Sequence, residues 1–206
     1  MINHDYKFIF LHIPKNAGNS IDSALSNYGS SRRGGPRIHY DEIDPRMAKD
    51  YFIFAVHRNP YGRMVSLWKY WLTIWVPRFA NDETKKELNK YEWDFLNFCT
   101  NFDKFASIVL REYPLERVHF LPQVCINGNP TYVNVDFWMR FEHLQDDFNV
   151  ASEKVGIPPQ QLLHLNKASH KPYTKYYTSE IKQIVSEKCR NDIKYFGYEF
   201  GGLSSP

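Results

Sequence analysis

No window of the sequence approaches the roughly 18–20 apolar residues that a membrane-spanning helix needs. The first apolar run, Phe8–Ile13, is six residues long and contains His12, too short and too polar for the hydrophobic core of a signal peptide. These absences give the expectation of a soluble, cytoplasmic protein. A secretory-lumen location would require that an anchor had been trimmed from a longer precursor. Cysteine is scarce: Cys99, Cys125 and Cys189 are odd in number, widely spaced, and form no C-x-x-C pair. That excludes a readable zinc site or thioredoxin-type motif and reads as reduced thiols, with one disulfide and a spare thiol left open for a secretory lumen. Dense basic tracts are missing as well. Arg32-Arg33 and Lys85-Lys86 are the longest hints, and the net charge is only +3, which argues against a nucleic-acid binder. A mild positive balance suits small anionic ligands. Without an internal repeat, low-complexity tract or linker, residues 1–206 read as a single domain.

What is present is ample apolar material, 43% of residues hydrophobic and 17% aromatic across 206, enough for a packed core. Phe8–Ile13 and Tyr51–Val56 are short continuous apolar runs of the kind that form buried parallel strands. Phe137–Phe141 and Arg117–Leu121 read as further strands. Helical patterns occupy Ser20–Tyr28, Arg63–Trp75, Tyr91–Arg111, Glu142–Val155 and about Ser179–Tyr195, while the charged stretch Asn81–Glu92 reads as a solvated helix or loop. Ser30–Arg37 and Pro122–Tyr132 have the composition of loops. Strands alternating with helices predict an α/β fold: a P-loop-like domain with a central parallel sheet flanked by helices. Trp68, Tyr70, Trp71 and Trp75 form an aromatic stripe that core packing explains, although part of it could face a ligand. His12 and His57 sit at strand ends and read as core histidines.

Two places carry chemistry. Where the first strand run becomes a helix stands Pro14-Lys15-Asn16-Ala17-Gly18-Asn19-Ser20. Backbone N–H groups at a helix start attract anions, and the helix dipole adds to them. Gly18 permits close approach, Lys15 brings a cation, and Asn19 and Ser20 can donate hydrogen bonds. The loop does not match G-x-x-x-x-G-K-[ST], which disfavours an ordinary ATP or GTP site. At the second strand end, Arg58-Asn-Pro-Tyr-Gly-Arg-Met-Val-Ser66 repeats the strand-to-helix layout. Asn59-Pro60 signals the helix start, and Arg58 and Ser66 suit a second phosphate. Two such elements imply a ligand with two separate anionic groups.

Phe10–Ile21 and Ala55–Ser66 resemble the 5′-phosphosulfate and 3′-phosphate elements of sulfotransferases that use PAPS (3′-phosphoadenosine 5′-phosphosulfate). The nearest likeness is to the Golgi carbohydrate group, the heparan 2-O, chondroitin and dermatan types, and its bacterial relatives. His119-Phe-Leu-Pro-Gln123, Phe141–Phe148, and the ending with Asn166, His170, Tyr176-Tyr177-Thr178 and Phe196–Phe200 extend the resemblance to most of the chain. It implies PAPS as donor, PAP as product, no metal, and a hydroxyl acceptor, most naturally a carbohydrate. It further implies that Lys15 stabilises the leaving oxygen, that Pro14–Ser20 hold the 5′-phosphate, and that Arg58, Ser66 and Lys171 hold the 3′ end. His39, shortly before the second strand, takes the place of a catalytic base, and His119 and Gln123 are candidate acceptor-side residues. A kinase would need a Walker Lys-Ser/Thr pair and an Asp for Mg²⁺, and neither stands in the expected place. A non-catalytic PAP-binding protein remains open, because a fold alone does not establish activity.

Overall fold

The computed structural model describes residues 1–28, 45–124, 134–163 and 171–203. In chain order they form β1 (Ile2–Asn3), β2 (Phe8–Leu11), α1 (Gly18–Leu25), α2 (Pro45–Ala48), β3 (Phe52–His57) and α3 (Pro60–Tyr70). A π-helical turn, Trp71–Trp75, continues α3 into the short α4 (Val76–Phe79). Next come α5 (Asp82–Leu88), α6 (Phe95–Thr100), α7 (Phe102–Glu112) and a 3-10 segment, Pro114–His119. The rest of the chain gives β4 (Phe137–Arg140), a 3-10 turn at Phe141–His143, α8 (Leu144–Val155) and a 3-10 turn at Tyr173–Tyr176. It ends in α9 (Ser179–Lys188), α10 (Arg190–Phe196), β5 (Tyr198–Glu199) and β6 (Gly202–Leu203). Two compact units result, each assembled from two chain segments: Met1–Arg58 with Gln123–Lys167, and Asn59–Pro122 with Ala168–Pro206.

The first unit holds a four-stranded sheet in the order β1-β2-β3-β4. Its two parallel pairings follow from the apolar runs: β2 pairs with β3, Phe8 opposite Phe52, and β3 with β4, Phe54 opposite Phe137. Only β1 runs antiparallel, at the edge. Because side chains alternate along a strand, the two faces separate cleanly. Phe8, Phe10, Phe54 and Val56 pack with Ile21 and Leu25 of α1 and Phe148 and Ala151 of α8. Ile9, Leu11, Ile53 and Ala55 face the other way, toward Ala48. A sheet apolar on both faces must be covered on both, which is why these strands read as continuous hydrophobic runs. The fold is the α/β class expected, a mostly parallel sheet with flanking helices.

The second unit is built around aromatic rings. Trp71, fully buried, stacks on Phe120 at 5.1 Å and meets Trp75 edge-on at 4.6 Å. Phe98 and Phe105 complete the centre. The stripe expected to be core is therefore core at Trp71 and Trp75, while Trp68 and Tyr70 are half-buried. Three sequence expectations change. Arg117–Leu121 is not a strand, since Pro114 opens a 3-10 segment to His119 and its ring fixes φ and removes an N–H. The predicted helix from Tyr91 starts at Phe95, where the Asp94 side chain accepts the Asn97 N–H, and it breaks at Asn101 into α6 and α7. The C-terminal helix likewise divides at Cys189.

Candidate active site

β2 ends at Leu11, and the chain reaches α1 through a turn at Pro14–Ala17. Lys15 (φ 70°) and Ala17 (φ 59°) are both left-handed, whereas Asn16 between them is not. Neither is glycine or asparagine, so each holds a conformation that costs roughly 1–2 kcal/mol. Alternating handedness turns successive N–H groups toward one side, the geometry of an anion nest. Ala17 caps α1 without a side-chain bond, and no acidic residue stands in the first turn of that helix. The Ala17 carbonyl takes the N–H groups of Ser20 and Ile21, at 2.9 and 3.3 Å. Helix start, nest and half-buried Lys15 together fit the phosphate end of a nucleotide. Asn19 is exposed there, and Pro14 and Ser20 are buried.

Beneath the loop lies His12, 5% exposed, with Nδ1 2.9 Å from Asp22 Oδ2 on α1. Its ring faces Gly18 so closely that a Cβ on that residue would come within 2.3 Å of Cε1. His12 thus fastens the end of β2 to the opening of α1. The sequence marked Gly18 as the residue that lets a ligand near; the structure adds a histidine ring as an occupant of that space.

Arg58, the first residue of the second element, meets the loop inside the first unit, and Asn59 onward belongs to the second. Gln123, wholly buried, accepts from Asn16 Nδ2 at 2.7 Å and from the Arg58 N–H at 2.9 Å. Its own Nε2 donates to the Arg58 carbonyl at 3.0 Å. Asn16 also donates to the Val56 carbonyl at 2.7 Å, and Arg58 Nη1 donates to the Lys15 carbonyl at 3.1 Å. The Arg58 guanidinium lies 4.0 Å over the Phe141 ring, a stacking arrangement suited to this planar cation. A guanidinium carries five N–H donors, so the bond to Lys15 engages one of them.

Lys15, Asn16, Arg58 and Gln123 are thereby brought together. Ser66, half-buried on α3, lies in the second unit, as do His119 and the exposed Lys171. His119 is buried, with Nδ1 3.0 Å from Glu116 Oε2 and its ring stacked on Tyr70 at 5.4 Å. The start of α3 is held by Asn59, whose side chain accepts the Tyr61 N–H and donates to the carbonyls of Glu199 and Gly202, each at 3.0 Å. Tyr177 adds a hydroxyl bond to the Tyr61 carbonyl at 2.8 Å. Sequence reasoning recognised the cap at Asn59-Pro60 but not its tie to the β5–β6 hairpin, whose two-residue strands leave no pattern. His39, the loop Ser30–Arg37, Cys125 and His170 lie outside the described residues.

His57, at the end of β3, is buried with its ring edge-on to Trp138. Burial first, and the Arg140 charge second, lower its pKa to about 3. An unfolded chain has a histidine near 6.5, so between these values the unfolded state takes up a proton that the folded state refuses. The stabilisation is complete above about pH 6.5 and is lost as pH falls toward 3, at a limiting slope of about 1.4 kcal/mol per pH unit. His57→Phe should therefore flatten the acid limb of the unfolding midpoint between pH 6.5 and 4; parallel curves for the two proteins would show that another group governs that limb.

A mostly parallel α/β sheet with paired left-handed turns at one strand end and a braced arginine at the next is a P-loop-like arrangement. Family comparison narrows this class: the model described as the sulfotransferase family matches residues 1–199, and the chain belongs to that family. It is similar to carbohydrate sulfotransferase 14 of Danio rerio, 23% identical over 96% of this chain and 61% of that protein. The chain thus spans about three fifths of the length of the curated relative it matches. No solved structure matches it. This kinship corrects the expected cytoplasmic location, because homologous carbohydrate sulfotransferases act in the Golgi lumen. The expectation rested on the lack of a long apolar run. No helix among the described residues is long and apolar enough to cross a membrane, and that fact does not assign a compartment.

Proposed function

We propose that the protein transfers a sulfuryl group from PAPS to a hydroxyl group of a carbohydrate. The observation that carries this reading is the brace between the Pro14–Ser20 loop and Arg58, which sets an anion nest and a guanidinium in one buried network. Membership of the sulfotransferase family supplies the donor, and the name of the Danio rerio relative supports a carbohydrate acceptor.

In this reading the acceptor oxygen attacks sulfur in line as the S–O bond to the 5′-phosphate breaks. Lys15 stabilises charge on the departing phosphate oxygen. The N–H groups of the Ala17–Ser20 turn bind the 5′-phosphate, with the side chains of Asn19 and Ser20 assisting. Arg58 and Ser66 bind the 3′-phosphate, and Lys171 adds a cation at that end. The acceptor proton passes to a base, for which His39 is the proposed residue on its sequence position and on the suitability of imidazole near neutral pH.

The test is transfer of label from ³⁵S-PAPS to a panel of polysaccharides and small hydroxyl compounds. Labelled carbohydrate is the expected product. Tight binding of PAP with no transfer to any acceptor would instead indicate a binding protein, and preference for ATP with Mg²⁺ would indicate a kinase.

A further inference from the structure

We propose that Gln123 is a positioning residue that makes the phosphate loop and Arg58 act as one clamp on the donor. The inference rests on the donor reading above and assigns the residue that couples its two ends.

β3 stops at His57, whose partner in β4 is Arg140. Beyond it, the N–H and C=O of Arg58 continue past the end of the strand and need partners of their own. The carboxamide of Gln123 supplies both, accepting at Oε1 and donating at Nε2. A side-chain amide here does what a peptide group of a neighbouring strand would do, extending the sheet by one residue. The second lone pair of Oε1 takes Asn16 Nδ2, whose other hydrogen goes to Val56. Arg58 Nη1 then reaches the Lys15 carbonyl. Lys15, Asn16, Gln123 and Arg58 form a closed circuit, linked by one peptide bond and three hydrogen-bonded joints.

A closed circuit moves as one body. With it intact, a ligand that engages the loop finds Arg58 already in place, so a second phosphate gains affinity without the cost of ordering its partner. With Gln123 removed, Asn16 keeps its bond to Val56 and the loop retains its own left-handed turns. Arg58 loses two backbone bonds, and the second phosphate meets a guanidinium that must be ordered on binding. Contact with an acceptor is a different role, and complete burial argues against it.

The experiment compares adenosine 3′,5′-bisphosphate with adenosine 5′-monophosphate, titrated calorimetrically into wild type, Gln123→Met and Gln123→Glu. Methionine keeps the length and removes the hydrogen bonds; glutamate keeps an acceptor but cannot donate to Arg58. Wild type should prefer the bisphosphate, and Gln123→Met should shrink that preference by about tenfold, the worth of one or two buried hydrogen bonds. Its affinity for the monophosphate should change by no more than about threefold. Thermal unfolding confirms that each variant is folded, and Gln123→Glu, expected to lose part of the preference, gives the reading if the methionine variant does not fold. Equal loss of affinity for both nucleotides would mean a general structural role and overturn the proposal, as would an unchanged preference in both variants. A wild-type protein with no preference for the bisphosphate would overturn the donor assignment itself, a result visible before any variant is made.

Discussion

Lys15→Ala should lower turnover with PAPS by about 10²–10³-fold, the effect of deleting one donor at a developing oxyanion, while binding of PAP changes only a few-fold. The backbone makes this a clean deletion. Lys15 sits at φ 70°, and alanine already occupies the same region at position 17. Arg58 bonds the Lys15 backbone carbonyl, and that bond survives the substitution. What disappears is the ammonium group, whose value is greatest when the bridging oxygen carries charge. Rates at saturating donor, set beside calorimetric affinities for PAP, separate the two effects. Turnover equal to wild type would remove Lys15 from the chemistry and leave the loop as a binding element alone.

Gly18→Ala should be as damaging by a different route. The new methyl would stand 2.3–2.5 Å from three atoms of the His12 ring. That ring is buried, and Asp22 holds it at Nδ1, so it cannot simply swing clear. Overpacking of this kind costs about 1–3 kcal/mol in an ordinary core. Here the strain falls on the first residue of α1, where the N–H groups must keep their aim. A lowered unfolding midpoint and at least a tenfold loss of PAP affinity are expected, about 1.4 kcal/mol by the usual conversion. His12→Ala in the same chain vacates the space, so the pair should be less harmful together than the sum of the two alone. Strict additivity would mean that the His12 ring is not what excludes a side chain at Gly18.

Much of this arrangement was legible beforehand, for identifiable reasons. β2 and β3 are visible because a strand buried on both faces must be apolar throughout, and Asn59-Pro60 announces α3 because capping is a local matter of one side chain and a nearby N–H. Lys15 and Arg58 stood out because charge at a strand end is chemically conspicuous. Other features left no such mark. The left-handed turns fall on lysine and alanine, residues whose identity does not predict that conformation. Gln123 joins partners 107 and 65 positions away, and nothing in the residues around it records that range. The segment Arg117–Leu121 has the apolar character of a strand at Val118, Phe120 and Leu121, but Pro114 commits the backbone to tight turns as far as His119.

The brace at Gln123 also constrains the order in which the molecule can be made. Its bonds to Asn16 and Arg58 bridge the gap left by residues 59–122, which belong to the second unit. On the ribosome, Pro14–Ser20 and Arg58 are synthesised long before the glutamine that secures them. The Pro14–Ser20 loop therefore waits, unbraced, while an entire intervening segment is translated, and closing so long a loop is the slow kind of contact. No single cut in the gene separates one unit from the other, so neither can be inherited, or expressed, as a contiguous fragment.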